Sequence, residues 1–259
     1  MIVVRKMFPE ERQEFIIKLL NRQGRCRVTD LARELGVSEV TIRQDLDVLE
    51  TRGLLCRTHG GAILPSRTGF ERPFQSEETS FYEEKERIGR AAAEMVTDGQ
   101  TVILDVGTTV TAAARRLKKK EDLLVITNAL NIALLLEDNP GITVIVTGGT
   151  LRAKQHSLVN PYGGFILDEI RADVAILGAG GIEAESGVTN VNIAEAEIKS
   201  LFIKAARRRF LLCDSRKVGN IALAKVADLE EIDFLFTDKQ ADPEEIARLR
   251  ERGLAVKLV

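Results

Sequence analysis

The chain has 259 residues, of which 44% are hydrophobic and 29% are charged, and its formal net charge is −2. This composition is that of a globular protein long enough for two domains, and no apolar run approaches the roughly 20 residues that a membrane helix needs. Three widely separated cysteines without a CxxC motif, and only two histidines, argue against a disulfide framework and a metal site, so we expect no cofactor and a reducing cytoplasm.

Residues 1–65 predict a small helical domain that ends in a β-hairpin. Residues 10–23 repeat apolar side chains at helical spacing, and residues 28–50 have the pattern of two short helices joined by a tight turn. Residues 53–62 are typical of two short strands around a turn. Three helices followed by a hairpin form a winged helix-turn-helix unit, whose second motif helix lies in the major groove of DNA.

The second helix of this motif has two faces of different character. Ile42, Leu46 and Leu49 form a stripe for burial, while Ser38 can cap the helix start. The opposite face suits the reading of base edges, and the hairpin can contact phosphates. The predicted DNA contacts are Ser38, Glu39, Val40, Thr41, Arg43, Gln44, Asp47, Arg57, Thr58 and His59. The alternative is a helical hairpin inside a larger core.

The rest of the chain predicts a linker followed by an α/β domain. Residues 66–81 are polar, contain glycine and proline, and lack a regular period. From residue 82, short β-branched runs alternate with helical patterns, which is typical of a mostly parallel sheet. The predicted strands are 101–105, 123–126, 143–146, 172–177, 209–213, 233–236 and an edge strand at 255–258. The predicted helices are 83–96, 109–117, 129–137, 193–208 and 242–251, with Arg207, Arg208 and Arg209 as a solvated helix end.

Polar residues and glycines follow the predicted strands, at the edge where open α/β sheets bind ligands. The run 105–109 opens a helix whose amides and hydroxyls form an anion cradle. The run 214–217 offers a carboxylate, with Arg216 and Lys217 as cations for phosphate. Each feature has a structural alternative, such as a helix cap, a turn or a surface ion pair, but their shared position favours a pocket. The candidate ligand-binding residues are Asp105, Gly107, Thr108, Thr109, Asn128, Gly148, Gly149, Arg152, Gly178, Glu195, Lys199, Asp214 and Lys217.

Six motifs occur in a fixed order along the chain. They are ELGVSEVTIRQDLDVLETRGLLCRTHGGA, LDVGTT, ITN, VTGGTLR, EAEIK and CDSRKVG. On these motifs the chain resembles the DeoR-type family of bacterial transcriptional regulators over nearly its full length. The resemblance implies a winged helix on operator DNA and a sensor domain similar to ribose-5-phosphate isomerase. It also implies a phosphorylated sugar or related metabolite as effector, and a homo-oligomer.

Three positions depart from the pattern that the resemblance implies. The family often has two arginines where this chain has Arg43 and Gln44, which leaves the operator sequence open. It often has an aspartate where this chain has Gly180, which changes the hydroxyl contacts of the pocket. The segment that contains Asn160 is also unusual.

Three functional hypotheses follow from these features. The leading one is a DNA-binding regulator, a repressor of sugar-metabolism genes that a phosphorylated sugar controls, and not an enzyme. The alternative is a sugar-phosphate isomerase with an appended helical domain, with Glu195 as base and Lys217 as electrostatic partner. A third reading is a metabolite-binding protein without a DNA function. Sequence-dependent operator binding separates the first from the other two.

Overall fold

The chain folds into two compact units, Met1–Ser76 and Glu77–Val259. The computed structural model describes residues 7–51, 54–58, 60–63, 73–159 and 163–259. The helices of the first unit are α1 (Pro9–Gln23), α2 (Val28–Leu35) and α3 (Glu39–Thr51), and its strands are β1 (Arg25–Arg27), β2 (Cys56–Thr58) and β3 (Gly61–Ile63). A further short helix, α4 (Phe74–Thr79), crosses the boundary between the units.

The first unit has the predicted three helices and wing, which confirms the winged helix-turn-helix prediction. Its core joins the three helices through fully or almost fully buried side chains, among them Ile16, Leu20, Leu31, Ile42, Leu46 and Leu49. The wing contains one strand more than predicted, because β1 pairs antiparallel with β3 and gives the order β1-β3-β2. Three residues are too few to show an alternating pattern in the sequence.

A buried ion pair fixes α3 against α1. Arg12 on α1 donates through Nε to Asp45 Oδ2 at 2.5 Å and through Nη2 to Asp45 Oδ1 at 3.1 Å. Gln13 Nε2 also donates to Asp45 Oδ1, at 3.2 Å. Arg12 and Asp45 are 7% and 4% exposed, so each is the main compensation for the other's buried charge. The pair therefore sets how α3 sits on its domain.

The predicted linker 66–81 contains a short helix, α4, that the sequence analysis did not predict. Only Phe74 of this six-residue helix is buried, and a single apolar side chain cannot produce a helical period. Residues 66–72 lie outside the described part of the chain.

The second unit is the predicted α/β domain. Its helices are α5 (Tyr82–Ala93), α6 (Thr108–Leu117), α7 (Leu130–Leu136), α8 (Gly163–Asp168), α9 (Ile193–Ala205) and α10 (Pro243–Glu251). Its strands are β4 (Thr101–Leu104), β5 (Leu123–Thr127), β6 (Ile142–Val146), β7 (Thr150–Arg152), β8 (Ser157–Val159), β9 (Ala172–Gly178), β10 (Gly181–Glu183), β11 (Gly187–Asn190), β12 (Ala206–Leu212), β13 (Ala224–Ala227), β14 (Phe234–Thr237) and β15 (Ala255–Leu258).

A seven-stranded sheet in the order β15-β14-β12-β9-β4-β5-β6 forms the centre of the second unit. Its strand pairs are parallel, which confirms the mostly parallel sheet and the edge strand. One face carries a core with α5, α6 and α7, and the other carries a core with α8, α9 and α10. Within the described ranges, no helix is long and apolar enough to cross a membrane.

The arginine run after α9 corrects the sequence prediction. The helix ends at Ala205, and Arg207, Arg208 and Arg209 belong to β12. Arg209 forms an ion pair with Asp233 at 2.8 Å, and the Arg208 guanidinium lies 4.8 Å from the centre of the Phe210 ring. Long arginine stems can cover apolar surface while their charges reach a partner. A basic run is therefore compatible with a strand.

Loss of the Arg12–Asp45 pair should destabilise the first unit. We expect Arg12→Ala to lower its free energy of unfolding by about 3–5 kcal/mol, because Asp45 would keep an uncompensated buried charge. The matched control is Glu14→Ala, which breaks an exposed pair with Lys18 on the same helix and should cost under about 1 kcal/mol. Chemical denaturation followed by circular dichroism measures both. Equal small effects would show that the buried pair does not hold α3.

Candidate DNA-binding surface and ligand site

The predicted reading face of α3 is open to solvent. Ser38 caps the helix, since its Oγ accepts from the Thr41 backbone N–H at 3.1 Å. Val40 is 61% exposed, and Arg43 and Gln44 are also exposed. The buried stripe of the same helix faces the domain core. The local amphipathic pattern therefore places polar donors and acceptors on the outer side of a helix held from behind.

Arg57 joins the wing to α3. Its Nη1 donates to the Arg43 backbone carbonyl at 3.0 Å and to the carboxylate of Asp47, and its backbone N–H donates to Glu50 Oε1 at 2.8 Å. Thr58 is exposed beside it, whereas the predicted contact His59 lies outside the described residues. Arg57 thus positions the wing against the reading helix, a role that the sequence prediction of a phosphate contact did not include.

Arg43 forms an ion pair on the same surface. Its Nη2 lies 2.7 Å from Glu39 Oε2, and the two side chains are 53% and 45% exposed. Exposed pairs of this kind contribute little to stability. A base edge or a phosphate can therefore replace Glu39 as the partner of Arg43 at small cost.

The parallel sheet brings most of the other candidates to one edge. In the sheet register, Leu104 lies opposite Thr127 on one side and opposite Ile176 on the other. Asp105 and Asn128 therefore follow neighbouring strands at the same level, close to Gly178. From β4 the chain first adds β5 and β6 on one side, and then adds β9, β12, β14 and β15 on the other side. The strand order therefore reverses between β4 and β9. Open α/β sheets bind ligands at such a switch point.

A buried ion pair lies at this switch point. Lys199 Nζ on α9 donates to Asp105 Oδ2, which also accepts from the Gly178 backbone N–H at 3.0 Å. Asp105 is fully buried and Lys199 is 2% exposed. Burial raises the pKa of Asp105, while Lys199 and the Gly178 amide oppose that shift. Lys199 therefore holds α9 to the end of β4.

Glu195 binds other side chains than Lys199 does, so the structural alternative of a surface ion pair does not apply to these two residues, which lie four positions apart on α9. Glu195 Oε1 accepts from Ser157 Oγ at 2.8 Å and from the Arg152 guanidinium, and Oε2 accepts from Asn190 Nδ2 at 3.3 Å. Arg152 and Ser157 lie on the β7–β8 hairpin. Sequence reasoning missed Ser157 and Asn190, because neither follows a strand of the main sheet.

The hairpin also covers the end of β5. The Leu158 backbone N–H donates to the Asn128 carbonyl at 2.8 Å, and Asn128 Nδ2 donates to the Leu158 carbonyl at 3.2 Å. Asn128 Oδ1 and Asp105 Oδ1 are buried and have no hydrogen-bond partner among the described residues. Buried acceptors without donors are costly. A ligand that donates hydrogen bonds would satisfy them.

Some glycines at the strand ends adopt a positive φ, and others allow a close approach by the backbone of another segment. Gly107 has a φ of 144° and precedes α6, whose first residues Thr108 and Thr109 follow directly. Gly181 instead admits another segment of the same chain, since a Cβ there would lie 2.0 Å from the Asn220 carbonyl oxygen. The glycine-rich run 178–181 is therefore explained in part by backbone contact. Gly148 and Gly149 both have positive φ after β6.

The segment after β12 brings the last candidates to the same edge. Asp214 is fully buried, and Lys217 is half-buried beside it. Burial acts to raise the pKa of Asp214, but the hydrogen bond from Arg216 and the charge of Lys217 outweigh it, so the pKa is lowered. Arg216, which the sequence predicts as a cation for phosphate, binds Asp214 on one side and Ser80 and Glu77 on the other, and its contact with phosphate stays a prediction.

Comparisons with known proteins agree with both units. The family models described as "DeoR-like helix-turn-helix domain" and "DeoR C terminal sensor domain" match residues 12–68 and 80–239. The chain belongs to the DeoR family. The HTH-type transcriptional regulator GolR of Listeria innocua is 38% identical over 252 residues, which are 97% of this chain and 99% of that protein.

More distant relatives extend the comparison. The glycerol-3-phosphate regulon repressor of Escherichia coli strain K12 is 32% identical over 228 residues, which are 88% of this chain and 90% of that protein. Among solved structures, ribose 5-phosphate isomerase from Methanocaldococcus jannaschii aligns with 53% of this chain and 55% of its own, with 18% identity and a TM-score of 0.39. The DeoR resemblance given by the sequence motifs is thus confirmed by the family models and the relatives.

The buried pair of this DeoR-family sensor unit should be essential for its stability. We expect Lys199→Met to lower the free energy of unfolding by about 3–5 kcal/mol, because Asp105 would be left charged and buried. The double variant Asp105→Asn/Lys199→Met should regain most of that loss. Lys204→Met, at an exposed position of the same helix, is the control and should change stability little. A Lys199→Met protein as stable as the control would show that the pair does not stabilise this unit.

Proposed function

We propose that this DeoR-family chain is a repressor of sugar-metabolism genes that binds operator DNA and is controlled by a phosphorylated sugar or related metabolite. The observation that carries the proposal is the presence, in one chain, of an exposed reading helix and a polar site at the switch point of a parallel sheet. The names of the relatives support it, since one represses a glycerol-3-phosphate regulon.

The ligand site suggests separate positions for phosphate and hydroxyl groups. The start of α6 provides backbone amides and the hydroxyl of Thr108, and Lys217 adds a positive charge, which together suit a phosphate. Asp105 Oδ1 and Asn128 Oδ1 are acceptors without donors among the described residues. Sugar hydroxyls supply such donors. A phosphorylated polyol or sugar therefore fits the chemistry of both parts.

We propose no enzymatic role for the site. The isomerase alternative needs Glu195 as a base, but both of its carboxylate oxygens accept hydrogen bonds from neighbouring side chains. Such bonds hold the carboxylate in place as a structural acceptor. We further propose that the protein acts in the cytoplasm as a homo-oligomer, since a helix-turn-helix dimer can read two half-sites at once.

Arg43 should contribute to operator recognition. We expect Arg43→Ala to weaken binding to the DNA upstream of the protein's own gene by about 1–3 kcal/mol, mostly at one base pair if Arg43 reads a guanine. Lys18→Ala, an exposed change on α1, is the control. Mobility-shift titrations against single-base operator variants measure the effect. An equal loss on random DNA would make Arg43 a phosphate contact, and the absence of any sequence-dependent complex of the unmodified protein would contradict the function.

Thr108 and Lys217 should serve the effector and not DNA. Ribose 5-phosphate, fructose 6-phosphate, glycerol 3-phosphate and their unphosphorylated counterparts form a suitable panel. We expect one phosphorylated member to raise the melting temperature and change operator affinity. Thr108→Ala and Lys217→Ala should weaken that response and leave ligand-free operator affinity unchanged, whereas Lys119→Ala, an exposed change beyond α6, should leave both intact. Unchanged dose curves in both site variants would place the ligand elsewhere.

A further inference from the structure

One arginine connects the ligand-site carboxylate Asp214 to the α4–α5 junction. Arg216 Nε and Nη2 donate to the two oxygens of Asp214, each at 2.9 Å. On the other side, Nη1 donates to Ser80 Oγ at 3.0 Å and Nη2 donates to Glu77 Oε2 at 3.2 Å. The guanidinium carbon also lies 4.2 Å from the centre of the Phe81 ring. The Arg216 guanidinium therefore binds both Asp214 and the α4–α5 junction.

Polar contacts hold the α4–α5 junction, residues 77–85. Lys85 is 2% exposed and donates through Nζ to the backbone carbonyl of Glu77. Burial lowers the pKa of Lys85 to about 8, although the charge of Glu77 opposes this shift. Phe81 has a φ of 53°, a conformation that costs energy in a bulky residue and persists only where surrounding contacts impose it.

We propose that Arg216 transmits occupancy of the ligand site to α4, the helix that continues from the DNA-binding unit. This inference rests on the proposed function. The occupied site competes with Glu77 and Ser80 for the guanidinium, because a phosphate can accept two charge-assisted hydrogen bonds from it, whereas Glu77 and Ser80 accept one bond each. Ligand binding then releases the junction, and the ligand-free protein with Arg216 bound to α4 is the form that binds operator.

Through thermodynamic linkage, a change in the partner of Arg216 is enough for the ligand to control operator binding. A ligand shifts a conformational equilibrium only if it interacts differently with the two forms. Here the difference is the partner of Arg216, which is Glu77 and Ser80 in one form and the occupied site in the other. Removal of the α4 acceptors should therefore imitate the ligand.

The direct test removes the acceptors on the α4 side and leaves the Asp214–Arg216 pair intact. In the full chain, we expect Glu77→Gln/Ser80→Ala to weaken ligand-free operator binding about five- to tenfold, within the usual range of allosteric couplings. The remaining response to the active member of the three-compound phosphate panel should fall below about twofold, while that compound still binds. Mobility-shift titrations and calorimetry measure the two affinities.

The matched control is Glu86→Gln. Glu86 lies on α5 and pairs with Arg115 and Arg116 on α6, and its side chain is 17% exposed against 21% for Glu77. This variant should bind operator and respond to the ligand as the unmodified protein does. Wild-type behaviour of Glu77→Gln/Ser80→Ala, or the same defect in Glu86→Gln, would overturn the role of Arg216.

Hydrogen exchange of the ligand-free protein separates this inference from the proposed function. We expect Arg216→Gln to speed amide exchange in residues 77–85, whereas Arg209→Gln, which breaks the two-point pair between Arg209 and Asp233, should not. Unchanged exchange in Arg216→Gln would overturn the proposed contact. If the unmodified protein binds no operator or responds to no phosphate compound, the proposed function fails, while the exchange result still decides whether Arg216 holds the junction.

Discussion

The parallel arrangement of the central sheet is the constraint on which the proposed ligand site depends. Strands that run in one direction place all their carboxyl ends at one edge, so residues far apart in sequence meet there. At this edge Asp105 and Lys199, which are 94 positions apart, form a buried ion pair between the end of β4 and helix α9. Neither charge can be removed alone without leaving the other buried and uncompensated. The pair therefore ties the position of α9, and of Glu195 on it, to the sheet.

Much of the fold could be predicted from the sequence because its signals are local. The β-branched runs near 101, 123, 143 and 172 and the helices between them gave the α/β alternation, and alternation with short connections implies a parallel sheet. The position of Asp105, Asn128 and Asp214 after strands then implied a shared edge without any knowledge of their contacts. The exposed face of α3 is likewise predicted by helical periodicity alone.

The parts that could not be predicted depend on contacts between distant residues. Nothing in the sequence states that Lys199 binds Asp105 and Glu195 binds the β7–β8 hairpin, since an i, i+4 spacing equally suits a surface pair. Arg216 and Lys217 are neighbours of the same charge, yet only tertiary structure shows that Arg216 binds the α4–α5 junction. The strands β1, β7 and β8 have three residues each, which is too short for a pattern.

We propose that operator DNA and a sugar phosphate bind to different units of one chain and that each lowers the affinity for the other. Thermodynamic linkage requires that operator lowers the affinity for the sugar phosphate by the same factor as the sugar phosphate lowers the affinity for operator. The most direct measurement is the affinity of the full chain for the active phosphate compound, with and without saturating operator, beside the affinity for operator with and without saturating compound. We expect both affinities to fall by the same factor. Independent binding of the two partners, with neither affinity changed, would contradict it.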